Sequence, residues 1–239
     1  MEKLESLVVR LEKAVAQLEG GGAVARAPTG ASGASASASD DGALDSASFK
    51  AYNEWIESHV TPFVQLSTQL GDDVAKMGSL FNSAIAAQRH FILLAARHSK
   101  PSDQELQKCL EPQIKAIQAV TEFRESSRRS SYFNHLSSVS EAIPALSWIL
   151  IAPTPGPHVK EMKDAAMFYT NRVLKEYKGK SDDHCQWTKL MLRMLNELIN
   201  YIKAHHTTGL VWNLKVSCCS VKVEHHNTND ATNHIEHST

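Results

Sequence analysis

The chain has 239 residues, of which 42% are hydrophobic and 21% are charged, and its formal net charge is -1. These values allow a domain-sized core, and they exclude the large basic excess that a nucleic-acid-binding or anionic-membrane-binding protein needs. No apolar stretch approaches the roughly 20 residues of a membrane span, and the N-terminus lacks the apolar run of a signal peptide. We therefore expect a cytoplasmic protein with no nucleic-acid partner and no transmembrane segment.

Residues 1–20 carry apolar side chains in a seven-residue repeat, with valine at the a positions and leucine at the d positions. This pattern is typical of a parallel coiled coil. A helix of this length is unstable alone in water, so it requires a partner surface. We predict an oligomerisation segment, and the alternative is a single amphipathic helix docked on the rest of the protein. The candidate contact residues are Leu4, Val8, Leu11, Val15 and Leu18.

Two segments lack the apolar residues that a packed core requires. Residues 21–45 are rich in Gly, Ala and Ser and are predicted to form a flexible linker. Residues 213–239 are dominated by Asn, Thr and His and are predicted to be a disordered tail. Adjacent Cys-Cys and His-His pairs fit a tetrahedral site poorly, so we predict no metal site in this tail. Its potential ligands are Cys218, Cys219, His225, His226, His234 and His237.

Residues 46–212 have apolar side chains at the helical period throughout. Ser102 followed by Glu105 matches a capping box, which predicts a helix start there. Pro62 is expected to bend or divide the first helix, and Pro112 is expected to kink a later one. Because long helices with short connections pack as antiparallel neighbours, we predict an all-α, up-and-down bundle of about six helices.

The usual sequence patterns of catalytic sites are missing from the chain. It has no Gly-rich phosphate loop, no nucleophile elbow and no His-Glu-x-x-His pattern. We therefore predict a protein that is not an enzyme and that needs no cofactor. An unrecognised helical-bundle enzyme stays an alternative, which a deep polar pocket would support.

Arg128, Arg129, Ser130 and Ser131 are predicted to form a basic turn. The same four residues resemble the target of a basophilic kinase. A phosphate on Ser131 would lie at the start of the next helix, where the helix dipole favours negative charge.

Residues 133–136 and residues 155–160 flank the same connecting region of the predicted bundle. The proline-rich connector positions the helix that follows it with little residual entropy. Mixed charge on such a pre-formed surface suits the recognition of a protein partner. Periodicity alone favours a plainer interpretation, a solvated face with local ion pairs such as Lys160–Asp164.

Several long motifs resemble the adenylyl cyclase-associated protein family. Residues 133–137 read FNHLS, residues 155–162 read PGPHVKEM, and residues 164–175 read DAAMFYTNRVLK. HTTGL at 206–210 is similar to the end of the family's helical domain, and LVVRLEKAV at 7–15 is similar to its N-terminal oligomerisation segment.

This resemblance implies that the helical domain binds actin at the pointed end of cofilin-decorated filaments and promotes subunit loss. It also implies that self-association multiplies the copies of that domain, and that the N-terminal segment of some members binds adenylyl cyclase. The location that it implies is the cytoskeleton, the cell cortex or the peripheral plasma membrane. For Asn134 and Asn171, holding helices together is the alternative role. The matched polar positions, taken as the candidate actin- and cofilin-binding residues, are Asn134, His135, Lys160, Glu161, Asp164, Asn171, Arg172 and Lys175.

The sequence departs from the family pattern after Trp212. The family continues with Lys-Thr-Gly-Pro, a proline-rich segment, an actin-monomer motif and a C-terminal β-sheet domain, whereas here an unrelated tail follows. The resemblance assigns the recycling of actin monomers to that other half. A truncated assembly subunit that joins full-length relatives through residues 1–20 is therefore the alternative function.

Overall fold

The computed structural model describes residues 46–213, and the predicted coiled coil, the linker and residues 214–239 lie outside this range. Six helical rods, and no strand, are present within the described part of the chain. The first rod runs through a π-helical turn and the fourth ends in a 3-10 helix. This architecture confirms the predicted all-α bundle of about six helices. The elements are α1 (Ala47–Trp55), the π turn (Ile56–Val60), α2 (Thr61–Leu70), α3 (Asp72–Arg97), α4 (Asp103–Ser126), α5 (Phe133–Ala142), the 3-10 helix (Ile143–Leu150), α6 (Pro155–Tyr177) and α7 (Asp182–His205).

Helix α4 begins with the capping box that the sequence predicts. The carboxylate of Glu105 accepts hydrogen bonds from the Ser102 hydroxyl at 2.8 Å and from the Ser102 backbone N–H at 3.1 Å. The side-chain bond, followed by the backbone bond, lowers the pKa of Glu105 below its ordinary value. These contacts satisfy backbone and hydroxyl groups that would otherwise be unpaired at the helix start.

Prolines occupy two different kinds of position in these helices. Pro62 and Pro144 lie in the first turn of α2 and of the 3-10 helix, where a missing backbone N–H costs nothing. The rod is not divided at Pro62, because the π-helical turn before α2 keeps helical backbone angles at Val60 and Thr61. Pro112 lies inside α4, which continues through it as an uninterrupted α-helix.

Tight connections make neighbouring helices antiparallel. Gly71 alone separates α2 from α3 and has a φ of 76°, a left-handed conformation that glycine adopts without steric cost. Gly179 has a φ of 78° in the short loop between α6 and α7. Helix α6 consequently packs between α5 and α7, and it also contacts the 3-10 helix.

Aromatic side chains are the largest residues of the core, and the indole N–H groups of Trp55 and Trp187 are paired, whereas that of Trp148 is buried without a partner among residues 46–213. The indole N–H of Trp55 donates to the Met194 carbonyl at 3.0 Å, and that of Trp187 donates to Ser67 Oγ at 2.8 Å. Buried Trp and Tyr rings normally find such partners, because an unpaired N–H or O–H is costly in the interior. The largest fully buried aromatic side chains are Trp148, Trp187, Tyr52, Phe49, Phe63 and Phe91.

Candidate functional site

Helix α6 presents one continuous exposed stripe, which we call the α6 face. Its members recur every three or four residues, so they lie on the same side of the helix. From Lys160 to Lys175 the stripe is about 22 Å long at the rise of an α-helix. The α6 face consists of Lys160, Glu161, Asp164, Phe168, Asn171, Arg172 and Lys175, all of which are exposed.

The opposite side of α6 fixes this face against the bundle. Val159, Ala166, Thr170 and Val173 are fully buried. A hydrogen bond of 2.9 Å from Lys163 Nζ to Asn196 Oδ1 joins α6 to α7 at the margin. The face is therefore carried on a rigid helix rather than on a loop, which suits a pre-formed binding surface.

The start of α6 is anchored by the connector that precedes it. Pro155 and Gly156 are buried, and the imidazole Nε2 of His158 lies 2.9 Å from Ser147 Oγ and 3.0 Å from the Pro144 carbonyl oxygen. These contacts join α6 to the 3-10 helix. The sequence-based expectation of a rigidly positioned helix start agrees with this geometry.

Phe168 occupies the middle of the α6 face. Its side chain is 56% exposed, an unusual position for a large aromatic residue. The guanidinium carbon of Arg172 lies 4.2 Å from the Phe168 ring centroid and 5.6 Å from that of Tyr169. This cation–π stacking orders both exposed side chains. An aromatic residue with a stacked arginine is the composition typical of interface hot spots.

The charges on the α6 face are not neutralised by one another. The local ion pair between Lys160 and Asp164 that periodicity suggested is not among the ion pairs of residues 46–213. Glu161 and Lys175 are likewise exposed. Charged groups held at a surface without an internal partner are available to a partner protein of complementary charge.

Two of the sequence-predicted site residues lie on α5 rather than on this face. Asn134 is half-buried, and His135 is 1% exposed and belongs to the core. The imidazole Nε2 of His135 lies 2.9 Å from Nδ1 of His184 on α7. Tyr132, Tyr177 and Trp187 surround the same ring. Burial lowers the pKa of His135 to about 3, so the ring is neutral at physiological pH.

The structure therefore brings six of the eight predicted residues together and separates Asn134 and His135 from them. Asn171 is exposed on the α6 face, so it does not hold helices together. Sequence reasoning missed Phe168, although a signal was available. Phe168 lies four residues from both Asp164 and Arg172, so its neighbours on the same side of α6 are charged.

A cavity of about 190 Å³ lies where the loops after α3, the 3-10 helix and α7 meet. Its walls are mainly apolar, and Lys100 is the charged residue among them. Chemical catalysis uses several converging polar groups in such a cavity, so this one does not support the enzyme alternative. Its main lining residues are Phe91, Leu106, Ile149, Leu150, Leu210 and Trp212.

Comparison with known proteins identifies the family. The model of the family described as "CAP, N-terminal domain" matches residues 52–210. The chain belongs to the cyclase-associated protein (CAP) family. Human adenylyl cyclase-associated protein 2 is 44% identical over 214 residues, which cover 89% of this chain and 44% of that protein. Human adenylyl cyclase-associated protein 1 is 42% identical over 212 residues, with the same coverage. The chain thus spans about 44% of the length of these relatives.

Solved CAP structures have the same fold. A crystal structure of a CAP N-terminal domain, described as indicating variable oligomerisation, has a TM-score of 0.70 and 42% identity, covering 72% of this chain and 94% of that one. The N-terminal domain of CAP from Dictyostelium discoideum has a TM-score of 0.69 and 41% identity, covering 71% and 96%. The described bundle is therefore the helical domain of the CAP family.

Residues 46–213 of this CAP bundle contain neither a metal-binding cluster nor a membrane span. Between residues 46 and 213, no three His, Cys, Asp or Glu side chains are grouped so that they could hold a metal ion. None of the helices in the same range combines the length and the apolarity that a membrane span requires. The α6 face is accordingly the surface on which we base a function.

Proposed function

We propose that this chain is a non-catalytic regulator of actin filaments that binds actin through the α6 face. The observation that carries the proposal is the exposed Phe168 ring with Arg172 stacked on it, in the centre of a charged stripe. An aromatic anchor gives contact area at a low entropic cost, and the charges around it set the orientation of the partner. Membership of the CAP family supports actin as the partner.

The finer proposal concerns filaments that are decorated with cofilin. The bundle binds the terminal subunit at the pointed end and promotes its loss. Binding accelerates subunit loss only if the α6 face has a higher affinity for the strained, departing geometry than for the relaxed filament. A rigid helix is suited to this discrimination, because it cannot adapt equally well to both geometries.

Self-association through residues 1–20 completes the proposed mechanism. Several bundles that are linked together reach neighbouring subunits at a high effective concentration, which raises avidity without new contacts. Adenylyl cyclase is proposed as a second partner of this N-terminal segment. A location in the cytoplasm, on the cytoskeleton and at the cell cortex or peripheral plasma membrane follows from these partners.

Imaging of single actin filaments with cofilin tests the proposal. Two variants alter the α6 face: one combines Arg172→Glu with Lys160→Glu, and the other is Phe168→Ser. Each is expected to slow the loss of subunits at the pointed end by about tenfold or more, as removal of a hot spot does. The melting temperatures of both variants should match that of the parent, since the side chains of Lys160, Phe168 and Arg172 are exposed. The matched control adds Lys108→Glu on α4 to Lys76→Glu on α3, so that it also reverses two exposed charges.

The outcomes separate the function from the site. If the parent chain neither binds cofilin-decorated filaments nor changes their rate of shortening, the proposed function is wrong. If the parent is active and the face variants are as active as the control with Lys76→Glu and Lys108→Glu, the function stands and the α6 face is not the binding site.

A further inference from the structure

The loop between α4 and α5 is a turn with two exposed arginines. Arg128, Arg129 and Ser131 are exposed, whereas Ser130 is half-buried. The Oγ of Ser130 accepts a hydrogen bond from the Tyr132 backbone N–H at 3.1 Å, and the Ser130 carbonyl accepts one from the Phe133 N–H at 3.2 Å. Ser130 is thus part of the turn itself, while Ser131 projects from it.

We propose that Ser131 is a phosphorylation site for an arginine-directed serine kinase. Arg128 and Arg129 precede Ser131 by three and two residues, and Tyr132 follows it. The forked donors of arginine bind carboxylates in paired hydrogen bonds, so two arginines at this spacing fit an acidic substrate groove. Ser130 lies only two and one residues after these arginines, and its half-burial within the turn likewise favours Ser131.

The position of the turn makes this reaction accessible. A kinase must draw its substrate into an extended conformation, which inside a helix would require local unfolding. Residues 127–132 lie between α4 and α5, so extending them breaks the turn hydrogen bonds of Ser130 and the packing of Tyr132 on His135 and His184, but leaves the interiors of both helices intact. Arg128 is bound to the Glu125 carboxylate on the last turn of α4, and this exposed ion pair is weak enough to be exchanged for a kinase carboxylate.

The reaction is an ordinary phosphoryl transfer. The Ser131 Oγ attacks the γ-phosphorus of a nucleoside triphosphate that the kinase binds, and a new P–O bond forms. The bond between that phosphorus and the β,γ-bridging oxygen breaks, and the nucleoside diphosphate leaves. The hydroxyl proton passes to the catalytic base of the kinase.

The product would change the start of α5. This helix has no side-chain cap and no acidic residue in its first turn. A phosphate on Ser131 adds about -1.5 to -2 charges beside the N-terminal N–H groups, where the helix dipole favours an anion. The exposed guanidinium of Arg129 lies two residues away and supplies a counter-charge. Phosphorylation is therefore expected to stabilise the junction of α4 and α5.

The test is phosphorylation of the full chain by a purified arginine-directed serine kinase with ATP, followed by tandem mass spectrometry. The expected result is one phosphoryl group on Ser131, which Ser131→Ala loses and Ser130→Ala retains. Ser127→Ala is the matched control, because Ser127 also follows an arginine, Arg124, by three residues but caps the end of α4.

Arginine variants test the recognition separately. Arg129→Ala is expected to reduce kcat/KM by at least about tenfold, the usual effect of one lost charged hydrogen bond. Arg193→Ala on α7 should leave kcat/KM unchanged. Phosphorylation that is undiminished in Ser131→Ala, or that occurs only after the chain is unfolded in urea, would overturn the proposal. A melting temperature that falls on phosphorylation would overturn the effect assigned to α5.

Discussion

The imidazole rings of His135 and His184 meet edge to face in the core, with Nε2 of one 2.9 Å from Nδ1 of the other. Burial lowers the pKa of both rings, that of His135 to about 3. One ring donates and the other accepts, so the accepting nitrogen must be unprotonated, and the lowered pKa values keep both rings neutral at physiological pH. Tyr132 and Tyr177 pack around the pair, while Asp183 and Glu176 partly offset the shift of His184.

This pair is expected to make the fold sensitive to acid. Because the pKa of His135 is lower in the folded than in the unfolded chain, the unfolded chain binds more protons as the pH falls below 6.5, and stability is lost. Between pH 6.5 and pH 5 the loss from His135 alone is about 2 kcal/mol. Urea unfolding at the two pH values measures it, and His135→Phe should remove that part of the loss.

His90→Gln on the exposed surface of α3 is the matched control and should keep the full acid sensitivity of the parent. Burial also lowers the pKa of His206, to about 4, so His206 contributes to the stability that the parent loses in acid. The difference between the parent and His135→Phe therefore isolates the contribution of His135. An acid sensitivity that is equal in His135→Phe and the parent would contradict the assignment.

Gly78 of α3 lies directly against Ser67 of α2. A Cβ added there would lie 2.6 Å from the Cβ of Ser67, whose Oγ accepts the Trp187 indole bond and donates to the Phe63 carbonyl. Gly78→Ala should destabilise the fold by about 1–2 kcal/mol in urea unfolding, because overpacking outweighs the helix propensity gained.

Gly156 provides the control for this change. It lies in the first turn of α6, and an added Cβ would meet no atom within 4 Å. Gly156→Ala is expected to be neutral or slightly stabilising. Equal effects of the two substitutions would show that propensity, and not the contact with Ser67, determines the outcome.

Gln88 links three helical elements through hydrogen bonds. Its Oε1 accepts from the Tyr52 hydroxyl at 2.9 Å, and its Nε2 donates to the Leu146 carbonyl at 2.5 Å. Gln88→Leu should cost about 1–3 kcal/mol, because it leaves the Tyr52 hydroxyl buried without this partner.

A double-mutant cycle separates that penalty from the loss of packing. In the presence of Tyr52→Phe, the cost of Gln88→Leu should fall by about 0.5–1.5 kcal/mol, since no hydroxyl is then left unpaired. Additive free energies of unfolding would mean that the Tyr52–Gln88 bond contributes nothing.

Arg172→Lys tests the geometry of the α6 face, assuming the proposed function. Lysine keeps the positive charge but lacks the planar guanidinium that stacks on Phe168 at 4.2 Å. Affinity for cofilin-decorated filaments should fall by about tenfold, between the parent and Arg172→Glu. If the lysine variant binds like the parent, charge alone is recognised and the stacking is irrelevant.

Much of the fold follows from local sequence. The helical period of residues 46–212 and the Ser102–Glu105 cap depend on residues within one or two turns of each other. Pro62 shows the limit of this reasoning, since proline alone suggested a bend or a division, whereas the rod continues through it by way of a π-helical turn.

The candidate site is less accessible to such reasoning. His135 resembles a surface residue because histidine is polar, yet rings from α6 and α7 bury it. Those rings come from Tyr177 and His184, more than 40 residues away along the chain, so no local pattern reveals them. Phe168 is the reverse case, an apolar residue that tertiary packing leaves exposed.

The Trp187 indole lies 5.0 Å from the His135 ring and is fully buried. A protonated imidazole quenches the emission of a neighbouring indole, whereas a neutral one does so weakly. Protonation of His135 is therefore expected to quench Trp187, and protonation of His206 to quench Trp148, whose ring lies 5.1 Å from it, so that unlabelled emission records the charge on both histidines.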